Sequence, residues 1–203
     1  GTIPRRDLSA TTARQLQAYA DPVIDTRLAK VWGTLRPTSR EKAALVTKYK
    51  ALLANGSAAA DAGRGRLVFN RTCLQCHRLY DAGGDVGPDL TGSDRANADY
   101  ILENVLDPSA SVGRDFQLTT VATTDGRLIS GIVREQTPRT FTLQTINERV
   151  VVDRQDVDEM KTSPASMMPE GLLEKLSDTE VRDLFAYLSS KAQVTVPAEK
   201  TGP

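Results

Sequence analysis

The stretch "NRTCLQCHRLY", residues 70 to 80, holds Cys73, Cys76 and His77, and no other cysteine or histidine occurs among the 203 residues. A Cys-x-x-Cys pair admits several chemistries. It forms a dithiol redox couple when it opens a helix after a strand, but here a helical pattern leads into the motif. It supplies half of a zinc site, but a structural zinc needs four ligands and the chain has no further Cys or His. A structural disulfide would close a tiny loop and remove little unfolded-chain entropy. Covalent haem attachment is the reading that uses all three side chains. The two thiols add across the two vinyl groups, a short helical turn sets their spacing, and His77 lies under the iron as proximal ligand. The sequence thus predicts one covalently held haem c.

Two further ligand questions follow. With His77 as the sole histidine, bis-His ligation within one chain is excluded, which leaves Met160, Met167 and Met168 as thioether candidates. A thioether favours ferrous iron and raises the potential. Met160 falls in a probable strand with Val157 and reads as core filler. Met167 and Met168 lie in a proline-bounded loop, "SPASMMPEGL"; Met168, beside Pro169, is the preferred distal ligand and Met167 the runner-up, with lysine or an open site as the remaining options. The second ring nitrogen of His77 needs an acceptor to fix its tautomer. The carbonyl of Pro88, in "VGPDL", is placed in sequence to supply it; otherwise Gly87-Pro88 is only a turn.

Helices must carry these groups. "DLSATTARQLQAYA" has helical spacing with Ser9 or Thr11 as cap, and Asp21-Pro22 opens a second helix with a cap and a first-turn proline. "TSREKAALVTKYKALLANG" gives a third, stopping at Asn55-Gly56. The three read as a small antiparallel array. A fourth helix runs from about Asp61 into the motif. The Gly- and Asp-rich segment after the motif reads as loop, and "RANADYILENVLD" as helix. From about residue 116 the pattern turns to strands. Asp125-Gly126 marks one hairpin, "TFTLQTI" and "VVVD" make a second, and "VDEMKT" is a short fifth strand. A last helix, "SDTEVRDLFAYLSSK", carries a Ser177–Glu180 capping box and an apolar face of Val181, Leu184, Phe185 and Leu188. The tail "VTVPAEKTGP" reads as loose.

The expected fold class is therefore mainly α with a β insertion. The expected segments are a helical N-terminal part (1–57), a first haem-bearing part (58–115), a small antiparallel β insertion (116–162), a second haem-bearing part (163–192) and a tail (193–203). Lys+Arg and Asp+Glu both number 26, so the net charge is zero, which argues against nucleic-acid binding through bulk charge. No apolar run approaches the ~20 residues of a membrane span. The first residue is glycine and no secretory leader is visible, so we expect a processed or excised chain, in which the absence of an export signal says little about compartment.

Four elements in order, "GRLVF", "CLQCH", "GPDL" and a Met-Pro loop before "DLFAYL", resemble class I cytochromes c over about half the chain. The resemblance implies a helical fold in which first and last helices cross beside the haem. By motif it places Gly65 and Phe69 on the first helix and Leu184, Tyr187 and Leu188 on the last. It makes the Pro88 carbonyl the partner of the His77 ring. A longer set looks like the haem-binding domain found in planctomycetes and verrucomicrobia: "GRGRLVFNRTCLQCHRLYDAGGDVGPDLTGS", "ILENVLDPSASV", "DGRLISGIVREQTPRTFTL" and "SMMPEGLLEKLS". That family commonly ends large secreted proteins, behind a dehydrogenase-like propeller and helical repeats. The resemblance implies that residues 1–57 end a repeat array, and it favours Met168, the residue directly before Pro-Glu-Gly-Leu.

The implied function is electron transfer by a His/Met-ligated monohaem module that is not itself an enzyme. Its partner is a redox protein or fused dehydrogenase domain, with no nucleic acid and no membrane span. Haem attachment to this motif occurs outside the cytoplasmic membrane, so a periplasmic or other extracytoplasmic location follows from the resemblance. Two other readings stand beside it: a sensor or peroxidase-like protein with an open or labile sixth site, and an interaction module with structural haem. A peroxidase, however, wants distal acid–base groups, and no distal histidine is available.

Overall fold

The computed structural model describes residues 8–55 and 59–197. Gly56, part of the third helix's expected stop signal, and the last six residues of the tail lie outside the described residues. The chain divides into two compact units, residues 1–38 with 107–169 and residues 39–106 with 170–203. Their described residues hold six α-helices and a five-stranded sheet. The described residues are thus mixed α/β, which fits only in part the expected mainly α fold with a β insertion.

In the first unit, α1 (Ala10–Gln17) starts at Ser9, whose hydroxyl accepts from the Thr12 N–H. Helix α2 (Pro22–Val31) starts at Asp21, with Pro22 where its missing N–H costs nothing. Ala13, Leu28 and Trp32 form a small core between them, and the Trp32 indole donates to the Leu8 carbonyl at 2.8 Å. Strand β1 (Gly33–Leu35) then pairs antiparallel with β4 (Ser111–Gly113). Arg36 completes the link with a two-pronged bond to the buried carboxylate of Asp107, 2.6 and 2.9 Å. This long-range pairing was not visible in the sequence.

The sheet of this unit comprises β5 (Gln117–Thr123), β6 (Leu128–Gln136), β7 (Thr140–Gln144), β8 (Arg149–Asp153) and β9 (Val157–Ser166). Its order is β8-β7-β6-β5-β9, antiparallel throughout. Strict alternation buries Thr119, Val121 and Thr123 along β5. Val121, Phe141, Leu143 and Val152 make the core of the sheet. Two expectations are corrected here. Strand β9 runs through Pro164 to Ser166, because it is an edge strand and a proline on its free side removes no ladder bond. Met160, expected as core, pairs opposite Val121 but remains 39% exposed on that edge.

In the second unit, α3 (Arg40–Ala54), α4 (Ala62–Thr72), α5 (Ala98–Leu106) and α6 (Asp178–Leu188) enclose a core that includes Tyr49, Phe69, Leu79, Leu102, Leu106, Leu173 and Tyr187. Helix α3 packs with α5 and α6 in this unit. The expected array of the first three helices is therefore replaced by a pair, α1 and α2, in one unit and α3 in the other. The expected loose tail is engaged at its start. Val194 packs on the core, its carbonyl accepts from Arg66, and Gln193 donates to Asp81 at 3.0 Å.

Candidate haem-attachment site

Helix α4 begins at Asp61, whose carboxylate accepts from the Arg64 N–H at 2.9 Å. Its buried face is Gly65, Val68 and Phe69. Gly65 faces α6, where a β-carbon would lie 1.8 Å from the Asp183 carbonyl oxygen. Only glycine lets the two backbones approach so closely. Asp183, almost fully buried, pins the crossing by accepting from the Asp61 N–H (2.7 Å) and from Arg64 Nε (2.7 Å) and Nη2 (3.2 Å). One turn along, the Phe69 and Tyr187 rings meet edge to face, centroids 5.4 Å apart. Arg71 pairs with Glu180 near the start of α6.

The helix ends at Cys73, and a tight turn follows. The N–H groups of Cys76 and His77 both donate to the Cys73 carbonyl, at 3.1 and 2.9 Å. Both thiols are free and half-buried. Burial pushes each of them above its ordinary value, so both are protonated at neutral pH. A two-residue ribbon, β2 (Arg78–Leu79) with β3 (Ala82–Gly83), turns the chain back, so the segment expected as plain loop contains a short strand. The loop then returns to the motif through Gly84 N–H to the Leu74 carbonyl (2.8 Å) and Gly87 N–H to the Cys76 carbonyl (2.7 Å).

These returns bring Pro88 to His77. Nδ1 lies 2.9 Å from the Pro88 carbonyl oxygen. A carbonyl only accepts, so Nδ1 carries the proton and Nε2 presents its lone pair, with no hydrogen-bond partner among the described residues. Burial lowers the imidazole below its ordinary value and the Pro88 bond acts in the opposite sense; the ring is neutral at pH 7. Gly87 lies flat against it, since a β-carbon there would sit 2.4 Å from Cε1 and 2.9 Å from Nε2. This donor set fits a haem c: two protonated thiols one turn apart, a neutral oriented imidazole, and no side chain at residue 87 to crowd the ring. Among the described residues no three His, Cys, Asp or Glu side chains converge to hold a metal ion, so the pair has no zinc-type company.

Residues 60–112 match the family model for cytochrome C oxidase, cbb3-type, subunit III. The matched residues make up about a quarter of the chain and include α4, the Cys-x-x-Cys-His motif and the Pro88 loop. The match supports a cytochrome c relationship and haem-based electron transfer for this cytochrome c-like stretch. No curated protein matches the chain. No helix among the described residues is long and apolar enough to cross a membrane.

The structure brings Cys73, Cys76, His77 and Pro88 together, and places Phe69 and Tyr187 in one ring contact. Met167 and Met168 belong to the other unit, half-buried just after β9. There the Met168 N–H donates to Ser166 Oγ at 3.1 Å, and the Ser166 N–H to Ser109 Oγ at 3.2 Å. Three residues near the motif went unnoticed in the sequence: Tyr80, Thr91 and Arg95. Their one local signal is a bulky Tyr in a turn.

Proposed function

We propose that the chain is a monohaem c-type cytochrome serving as an electron-transfer module. Cys73 and Cys76 form its two thioethers, His77 is its proximal ligand and Met168 its distal ligand. The observation that carries the reading is the neutral His77 imidazole, its Nδ1 bonded to Pro88 and its Nε2 lone pair free, one residue beyond two free thiols. When bound, the haem supplies a one-electron ferric/ferrous couple.

The chain's residues do the rest. Each protonated thiol can add its sulfur and hydrogen across a vinyl group, so attachment needs no leaving group. His77 offers Nε2, and the Pro88 bond fixes the tautomer and strengthens the ring as a donor. Phe69, Tyr187 and the glycine contact at Gly65 hold α4 and α6 rigid. A rigid helix crossing of this kind keeps reorganisation small between oxidation states. Met168 supports a six-coordinate carrier rather than a ligand-binding haem. The partner is a redox protein or a dehydrogenase domain of the same polypeptide, in an extracytoplasmic compartment.

Mass spectrometry of the purified protein and optical spectra of its oxidised and reduced forms, with and without CO, test this. The expected result is one covalent haem, a weak far-red sulfur-to-iron band lost in Met168→Ala but kept in Met167→Ala, and no CO shift. A high-spin spectrum or ready CO binding would replace the carrier with an open-site sensor or peroxide-active protein. Slow or irreversible redox would leave the haem a structural role.

A further inference from the structure

Tyr80 sits in the left-handed region, at φ 58°. A bulky residue holds that conformation only when its surroundings impose it. Three contacts do so. Its N–H donates to Thr91 Oγ1 at 2.8 Å. Its hydroxyl donates to the Ser190 carbonyl. Its ring lies against the Arg95 guanidinium, 4.8 Å from centroid to Cζ. Arg95 itself donates to the carbonyls of Leu188 and Ser190. The Leu188 carbonyl is among the acceptors that α6 leaves unpaired at its C-terminal end, and Ser190 lies just past its cap, Ser189.

The path continues to the axial ligand. The Thr91 N–H donates to Asp89 Oδ1 at 2.8 Å, and the Leu90 N–H to the Arg78 carbonyl at 2.9 Å. Pro88 directly precedes Asp89. The carbonyl that faces His77 is therefore gripped from both sides. On one side stands the Gly87–Cys76 bond; on the other, the run Asp89–Thr91–Tyr80 fastened to the end of α6.

We propose that Tyr80, Thr91 and Arg95 are positioning residues that fix the Pro88 carbonyl against His77 Nδ1 and thereby set the donor strength of the axial imidazole. The inference rests on the haem reading above. Its physical basis is the steep dependence of a hydrogen bond on angle and distance, and the control that such a bond exerts over ligand basicity. A loosened Pro88 bond leaves the imidazole a weaker donor. Ferric iron is then less favoured and the potential rises.

The test uses the full-length haem-loaded chain and two readouts: reduction potential, and exchange of the His77 Nδ1 proton by NMR of the reduced protein. Thr91→Val removes the acceptor at nearly constant volume, Thr91→Ser restores it, and Tyr80→Phe releases Ser190. Arg71→Gln, which breaks an ion pair at the other end of α6, controls for simple loss of stability. Thr91→Val and Tyr80→Phe are expected to speed exchange about tenfold or more, the scale on which outer partners of metal ligands act, and to raise the potential. Thr91→Ser and Arg71→Gln should match the wild type in both. Unmoved exchange and potential in both Thr91→Val and Tyr80→Phe, or an equal change in Arg71→Gln, overturns the inference while leaving the haem reading intact. A wild-type chain without covalent haem overturns both. Should Thr91→Val fail to fold, Tyr80→Phe against Thr91→Ser decides the matter alone.

Discussion

The helical unit and the sheet unit each close around a fully buried phenylalanine, Phe69 in one and Phe141 in the other. They differ in what surrounds it. Around Phe141 are other apolar strand residues, and alternation along the strands accounts for nearly everything buried. Around Phe69 the fold tolerates crowding: a backbone crossing at Gly65, a glycine against an imidazole at Gly87, a buried carboxylate at Asp183, and Tyr80 in a costly conformation. Local rules are broken together where a chemical group has to be held. The sheet unit has departures of its own, register shifts between β5 and β9 and between β6 and β7 and a buried carboxylate at Asp107, but it holds neither a thiol nor an imidazole.

The largest test of this contrast is a matched pair. Phe69→Ala and Phe141→Ala should each cost about 3–5 kcal/mol in denaturant unfolding, as large buried aromatics do. Only Phe69→Ala should also change the haem spectrum. Equal spectral damage from Phe141→Ala would mean that the sheet shapes the haem pocket. A smaller effect separates two ion pairs. Asp183→Asn should cost about 2 kcal/mol, because a buried carboxylate loses charge-assisted bonds while half-exposed Arg64 regains water. Arg139→Gln, which removes the exposed partner of Asp153 on the sheet, should stay within about 0.5 kcal/mol.

The smallest effect is a pH dependence. The Ser177 N–H and hydroxyl, then Arg71, hold Glu180 down to about 2 from an ordinary 4.5. A depressed carboxylate stabilises the fold fully above 4.5 and loses that contribution as pH falls toward 2. Urea midpoints measured from pH 5 to 2 should fall less steeply in Glu180→Gln than in the wild type. Parallel curves would show that the capping box, not the charge, is what matters.

Much of this molecule is written locally. Ser9, Asp21 and Ser177 announce helix starts because a cap is a contact between near neighbours. Asp125-Gly126 announces a hairpin for the same reason. The pairing of β1 with β4 left no such trace, since its residues lie about 80 positions apart and three-residue strands show no period. Nor did the partner of α3, whose apolar face is readable but not its destination. The strand expected over "VDEMKT" runs on to Ser166, because sequence does not reveal which strand is an edge that can hold a proline. At the site, Cys73, Cys76 and His77 stand out by type and spacing alone. Tyr80 and Arg95 do not, because their roles come from carbonyls at the end of α6, far along the chain.

That distance has a consequence in time. Arg64 and its partner Asp183 are 119 residues apart, and ribosomes add roughly 5–20 residues per second. The helix bearing the thiols therefore leaves the ribosome roughly 6–24 s before the helix that will lock it is complete. For that interval Cys73 and Cys76 belong to an open chain. The order of synthesis thus presents the Cys-x-x-Cys-His motif first and delivers the helix that locks α4 last.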